Sequence, residues 1–133
     1  MSFLGKEYKF ESQENFDGFL KSAGLPDAEV QKFLEFKPVT KLEKDGDTYK
    51  STTTSLDGTK AVTFKSGVEF DEKIKEVIPV KTTYTVDGNV VTQVIKAEKG
   101  SATFKREYTD NDLIVTITSS NWDGVAKRYY KAL

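Results

Sequence analysis

Along most of this chain apolar and polar residues alternate at a spacing of two, and one stretch near the start breaks that rhythm. At residues 3–10, Tyr8 and Phe10 share a face, as a short extended segment requires. Over residues 15–24 the apolar positions Phe16, Phe19, Leu20 and Ala23 recur at steps of three and four, the signature of a helix. Asn15 is placed to cap its start and Gly24 its end. Leu25, Pro26 and Asp27 form a tight break. Either Pro26 or Asp27 suits the opening of a second helix, whose apolar side is Val30, Phe33 and Leu34 and which Pro38 ends. Helices of roughly ten residues do not persist alone in water, so both stripes must cover something.

From residue 39 the reading is almost entirely β. Strands are predicted at 41–44 and 48–54 around Asp45-Gly46-Asp47, at 59–65 and 68–70 around Ser66-Gly67, and at 81–86 and 90–96 around Asp87-Gly88-Asn89. Residues 101–108 and 113–119 flank the next turn. A last strand, 126–133, follows the loop Asn121-Trp122-Asp123-Gly124. Hairpin-linked strands of this length favour an up-and-down antiparallel barrel or a strongly curved sheet. No helix-sized connection follows residue 38, which argues against a parallel α/β fold.

Composition narrows the chemistry. The 133 residues carry 20 basic and 21 acidic side chains, for a formal charge of −1, and no long basic run, so nucleic acid is not an expected partner. Cysteine and histidine are absent, which removes disulfides, thiolate chemistry and imidazole acid–base catalysis. No metal or cofactor is expected. The brief apolar start is followed at once by Lys6, Glu7 and Lys9, unlike a signal peptide, and the cytoplasm is the expected compartment. Threonine is abundant in the strands (Thr52, Thr53, Thr54, Thr82, Thr83, Thr85, Thr92, Thr103, Thr116 and Thr118). Such strands suit a partly polar, hydrated interior, although threonine also fills solvent faces through its strand propensity alone.

Two arginines stand out. Phe104, Arg106 and Tyr108 share one strand face, and Arg128 and Tyr130 share another, with Val115 and Ile117 on one face of the strand between. If the aromatic residues face inward, the period carries the arginines inward with them; the alternative is that both alternate outward beside Lys and Glu. An inward guanidinium cannot shed its proton and needs an anion or water, and the inward positions of the last three strands hold no acid. The arrangement points to a carboxylate receptor in which Arg106, Arg128 and the Tyr130 hydroxyl converge on two oxygens.

The chain resembles the intracellular lipid-binding proteins of the cellular fatty acid-binding family, most closely the insect midgut branch. The resemblance rests on Phe3-Leu4-Gly5-Lys6, on Glu14-Asn15-Phe16-Asp17, on the run from Phe64-Lys65-Ser66-Gly67 through Val68-Glu69-Phe70-Asp71, and on Arg128-Tyr129-Tyr130, which matches the family's Arg-x-Tyr ligand motif. Arg106 falls at the family's other internal arginine. The resemblance implies one domain over residues 1–133: a mainly β, ten-stranded antiparallel up-and-down β-barrel of the calycin type. A helix-turn-helix lid at about residues 15–36 would lie between its first two strands. It further implies a monomeric carrier that binds long-chain fatty acids reversibly and catalyses nothing. Phe16, Phe19, Leu20, Phe33, Leu56 and Phe64 are expected at the portal or cavity wall, with Pro38, Thr40 and Thr53 also reaching it, and with Ile78, Phe104, Val115 and Ile117 lining it. Tyr8 replaces the family's usual tryptophan, Ile78 replaces a charge common at that place, and the loop 119–124 looks about two residues longer than in vertebrate members.

Rival readings are separable. No nucleophile–base arrangement or paired carboxylate marks an enzyme; Glu69 and Asp71 share a face and nothing more. A protein-binding module would carry no lipid. Retinoic acid would satisfy the same arginines as a fatty acid. Lys21, Lys32 and Lys37 offer the lid a basic edge towards anionic membranes, offset by Glu14, Asp17, Asp27, Glu29 and Glu35.

Overall fold

The computed structural model describes residues 3–55, 58–74, 78–98 and 100–133. β1 (Glu7–Glu14) leads into α1 (Phe16–Ser22) and α2 (Asp27–Leu34), and all later elements are strands. These are β2 (Val39–Asp45), β3 (Thr48–Ser55), β4 (Gly58–Lys65), β5 (Glu69–Ile74), β6 (Ile78–Asp87), β7 (Val90–Ala97), β8 (Gly100–Tyr108), β9 (Asp112–Ser119) and β10 (Trp122–Ala132). They form one antiparallel sheet in the order β4-β3-β2-β1-β10-β9-β8-β7-β6-β5, curled into a near-barrel with both helices between β1 and β2.

The sheet's two edges are consecutive strands. β4 and β5 share no ladder among the described residues, and the turn between them leans on β6 instead. Gly67 N–H donates to the Tyr84 carbonyl at 2.8 Å, and Val86 N–H donates to Ser66 Oγ at 2.8 Å. Side chains close what the backbone leaves open. Phe64 of β4 stacks on Tyr49 of β3 at 5.5 Å and on Tyr84 of β6 at 4.2 Å, and Phe70 of β5 lies 6.1 Å from Tyr84. Another aromatic group plugs the opposite wall, where Phe3 stacks on Tyr108 and the fully buried Tyr8 meets it edge-on.

Local features depart from the sequence reading in several places. Asn15 does not cap α1 with its side chain. It takes a left-handed conformation (φ 56°), which lets the chain turn sharply off β1, and its amide donates to the Val125 carbonyl at 3.3 Å. Gly24 (φ 79°) does close α1, its N–H donating to the Lys21 carbonyl. α2 ends at Leu34, ahead of Pro38, whose carbonyl instead accepts from Phe10 N–H. β5 and β6 run longer than their apolar runs imply, because pairing continues through Asp71–Lys81 and Glu72–Val80. The expected loop at Trp122-Asp123-Gly124 is the start of β10. The register shifts at a bulge between Trp122 and Ala126, and the Trp122 ring lies against Gly124, where a Cβ would not fit.

Candidate functional site

Ladder register carries both arginines inward. Val115 of β9 pairs with Arg106 on one side and with Arg128 on the other, so the two residues flank it at one level of the wall. Tyr130 follows on the same face of β10, opposite Leu113. Arg128 is only 7% exposed. Its guanidinium sits 4.4 Å from the Phe10 ring centre and 4.7 Å from that of Phe16, the first residue of α1. Its Nη2 donates to the carbonyl of Phe36, just beyond α2, at 2.5 Å. One side chain therefore ties both ends of the helical hairpin to the barrel wall.

Arg106 is held differently. Its Nη2 donates to Gln93 Oε1 at 2.9 Å, and its guanidinium lies near the rings of Tyr84 (5.9 Å) and Phe104 (5.7 Å). Neither arginine is satisfied. Arg106 Nη1 and Arg128 Nε are buried with no hydrogen-bond partner among the described residues. Burial lowers the Arg128 pKa, with Tyr130 acting in the other direction. Burial also raises the phenols of Tyr130, Tyr84 and Tyr108, the last to about 12, while the arginines pull each back. Two charged donors in a low-dielectric, tyrosine-rimmed place, each with hydrogen-bonding capacity to spare, are chemically able to receive an anion.

The helices close over this region. Phe16, Phe19 and Leu20 are buried; Phe19 meets Phe104 edge-on at 5.8 Å and lies 6.1 Å from Trp122. Val115 and Ile117 are buried beneath. A hollow of about 390 Å³ bounded by Glu11, Ser12, Ile114 and Tyr129 opens elsewhere, on the outer face of the sheet.

The lipocalin / cytosolic fatty-acid binding protein family description matches residues 4–124. The chain belongs to that family. It is 61% identical over 132 residues to fatty acid-binding protein 1 of Manduca sexta, spanning 99% of this chain and 100% of that protein. The solved structure of the fatty-acid-binding protein isolated from Manduca sexta superposes with a TM-score of 0.92 at 61% identity, covering 98% of this chain and 99% of the other. A Schistosoma mansoni fatty acid binding protein in complex with arachidonic acid superposes with a TM-score of 0.89 at 31% identity, covering 99% and 96%. The lipocalin / cytosolic fatty-acid binding protein family is a non-catalytic, lipid-binding one.

Within this lipocalin-type frame the remaining expected residues spread around the wall. Phe33 is half-buried on α2, and Pro38 is buried just before β2. Thr40 and Thr53 are paired and half-buried on β2 and β3, two and three strands from Arg128, while Phe64 belongs to the stack at the sheet's edges. Leu56 and the side chain of Ile78 lie outside the described residues. Tyr8, which the sequence resemblance sets in place of the family's usual tryptophan, is fully buried, and its hydroxyl donates to the Thr109 carbonyl at 2.8 Å. Several inward groups escaped the sequence reading: Phe10 and Phe36 around Arg128, Gln93 and Tyr84 around Arg106, and Glu72 and Thr82 farther along the sheet. Gln93 was within reach of the strand period, since it lies two residues from Val91 on the inward face of β7.

Proposed function

We propose that the chain is a non-catalytic carrier that binds long-chain fatty acids reversibly inside the near-barrel, with Arg106, Arg128 and Tyr130 receiving the carboxylate. The observation that carries this is the pair of buried guanidinium groups with spare donors on either side of Val115. A carboxylate supplies oxygens that both can share, and the Tyr130 hydroxyl adds a donor. The tail contributes roughly 0.8 kcal/mol per buried CH₂ before ordering costs, so the head chooses and orients while the tail binds. A carboxylate that engages Arg128 competes with the Phe36 carbonyl for Nη2 and thereby loosens the far end of the lid. Phe16, Phe19, Leu20 and Phe33 form the portal in this reading. Lys21, Lys32 and Lys37, all exposed, form the edge that touches anionic membranes during transfer. The carrier acts as a cytoplasmic monomer. The 61% identity to the Manduca sexta protein supports its assignment to an insect branch, the midgut one in our reading.

Calorimetric titration with oleate and with oleyl alcohol tests the receptor. Arg128→Ala is expected to lose about tenfold or more in affinity for the acid and less than about threefold for the alcohol. Equal losses for both ligands would exclude a carboxylate clamp at Arg128.

A further inference from the structure

Glu72 brings a carboxylate to the inward face. β5 presents Phe70 and Glu72 to the interior, opposite Thr82 and Val80 of β6. On the other face of the same hairpin both acids of β5 have a lysine: Asp71 with Lys81 at 3.4 Å and Glu69 with Lys96 at 3.7 Å. Glu72 Oε2 is buried with no hydrogen-bond partner among the described residues. Its diagonal neighbour Thr82 is 0% exposed, and Thr82 Oγ1 is likewise without a partner among the described residues. One group accepts only and the other can donate, on adjacent strands and on one face. Leaving both unpaired is costly, so the place is built for a visiting polar group.

Its position relative to the arginines decides what that visitor is. β5 is five strands from β10 in the sheet order, and five again the other way round through β1, β2, β3 and β4. Glu72 therefore faces Arg128 across the interior. A ten-stranded ring has backbone walls about 20 Å apart, and the two side chains reach in from either side. Arg106 on β8 is three strands from β5, so a lipid whose carboxylate is shared by the two arginines runs part of the way across the interior before it meets Glu72. The carbon beside the carboxylate falls short of it, and a carbon in the middle of the chain does not.

We propose that Glu72 and Thr82 form a second polar station that recognises a hydroxyl group partway along the lipid tail, so that the preferred ligands include mid-chain hydroxy fatty acids. The hydroxyl donates to Glu72 Oε2 and accepts from the Thr82 hydroxyl, completing both. Arg106 sits 5.9 Å from the ring of Tyr84, and the charge of Glu72 also acts on that phenol, so Tyr84 is a neighbour of both stations. This inference rests on the carboxylate reading above.

The test is titration at neutral pH with oleate, with ricinoleate (its mid-chain hydroxylated counterpart) and with an α-hydroxy isomer, on the wild type, Glu72→Leu and Thr82→Val. The wild type is expected to hold ricinoleate within about threefold of oleate, because the hydroxyl is paired, whereas an unpaired hydroxyl would cost about tenfold or more. Each variant should weaken ricinoleate by about tenfold while oleate and the α-hydroxy acid move by less than about threefold. Equal shifts for all three ligands would mean that Glu72 only organises water, and would overturn the proposal. Should Glu72→Leu fail to fold, the wild-type ratio decides alone: a preference for oleate beyond about tenfold overturns it. A wild type that holds oleate but not ricinoleate sinks only this station; one that holds neither defeats the carrier reading and the station with it.

Discussion

The wall made by β8, β9, β10 and β1 and the wall made by β3, β4 and β5 belong to one sheet, yet they are finished differently. On the first, the inward side chains Tyr8, Tyr108, Leu113, Val115, Ile117, Ala126 and Tyr130 are all buried, and each strand is paired on both sides. On the second, β4 is exposed along most of its length and, among the described residues, paired only with β3, and Ser51, Thr53, Val62 and Lys60 stand in line with Tyr49 and Phe64 where the first wall is aliphatic. Arg106 and Arg128 stand on the first wall, where rings and neighbouring strands fix their geometry. The second wall gains cohesion mainly from the stack of Tyr49, Phe64, Tyr84 and Phe70. A binding protein needs both. The receptor must be rigid to select, while the side that admits a guest must open at low cost.

The largest expected contrast is in core truncation. Ile117→Ala, at a position 0% exposed, should cost about 2–5 kcal/mol in urea denaturation, and Val62→Ala on β4 about 1 kcal/mol or less. Equal losses would show the two walls to be equally consolidated. Next is the alkaline limb of stability. The Tyr108 phenol keeps its proton to about 12 in the native protein but releases it near 10.0 when unfolded, chiefly because it is buried. Between those values the unfolded chain holds fewer protons, so stability falls as pH rises, by on the order of 2 kcal/mol, and below them the group adds nothing. Tyr108→Phe should flatten that fall in urea midpoints measured from neutral to strongly alkaline pH; an unchanged slope would mean that the first wall admits water at Tyr108. The smallest effect is at the surface of the second wall. Removing the exposed Lys81–Asp71 pair with Asp71→Asn should change stability by less than about 0.5 kcal/mol. A loss of several times that would make surface charge, rather than the aromatic stack, the binder of this side.

The same contrast explains what could be read from the chain. Arg106 and Arg128 were legible because each lies two residues from a tyrosine, and a strand period of two leaves little freedom once an aromatic neighbour faces the core. The helical hairpin was legible from Phe16, Phe19 and Leu20. What escaped depends on register between distant strands. A bulge shifts the pairing of β1 with β10 between Phe10 and Ser12, so that Gln13 rather than Ser12 faces Arg128. The partner of Arg128 is a backbone carbonyl at Phe36, which no side-chain pattern announces. Glu69 and Asp71 drew notice as a shared acidic face, yet they are surface partners of lysines, and the acid that turns inward is Glu72 between strands the apolar pattern underestimated.

The curl that leaves β4 and β5 at the two ends of one sheet has a further effect. A flat sheet of this order would offer two free borders, each a template on which another molecule could continue the ladder. Here those borders are brought together within one molecule and carry charges, among them Lys60, Lys65, Glu69 and Asp71. Closing the ring against its own seam thus guards against runaway stacking into fibres, and a variant that springs the seam would be prone to polymerise.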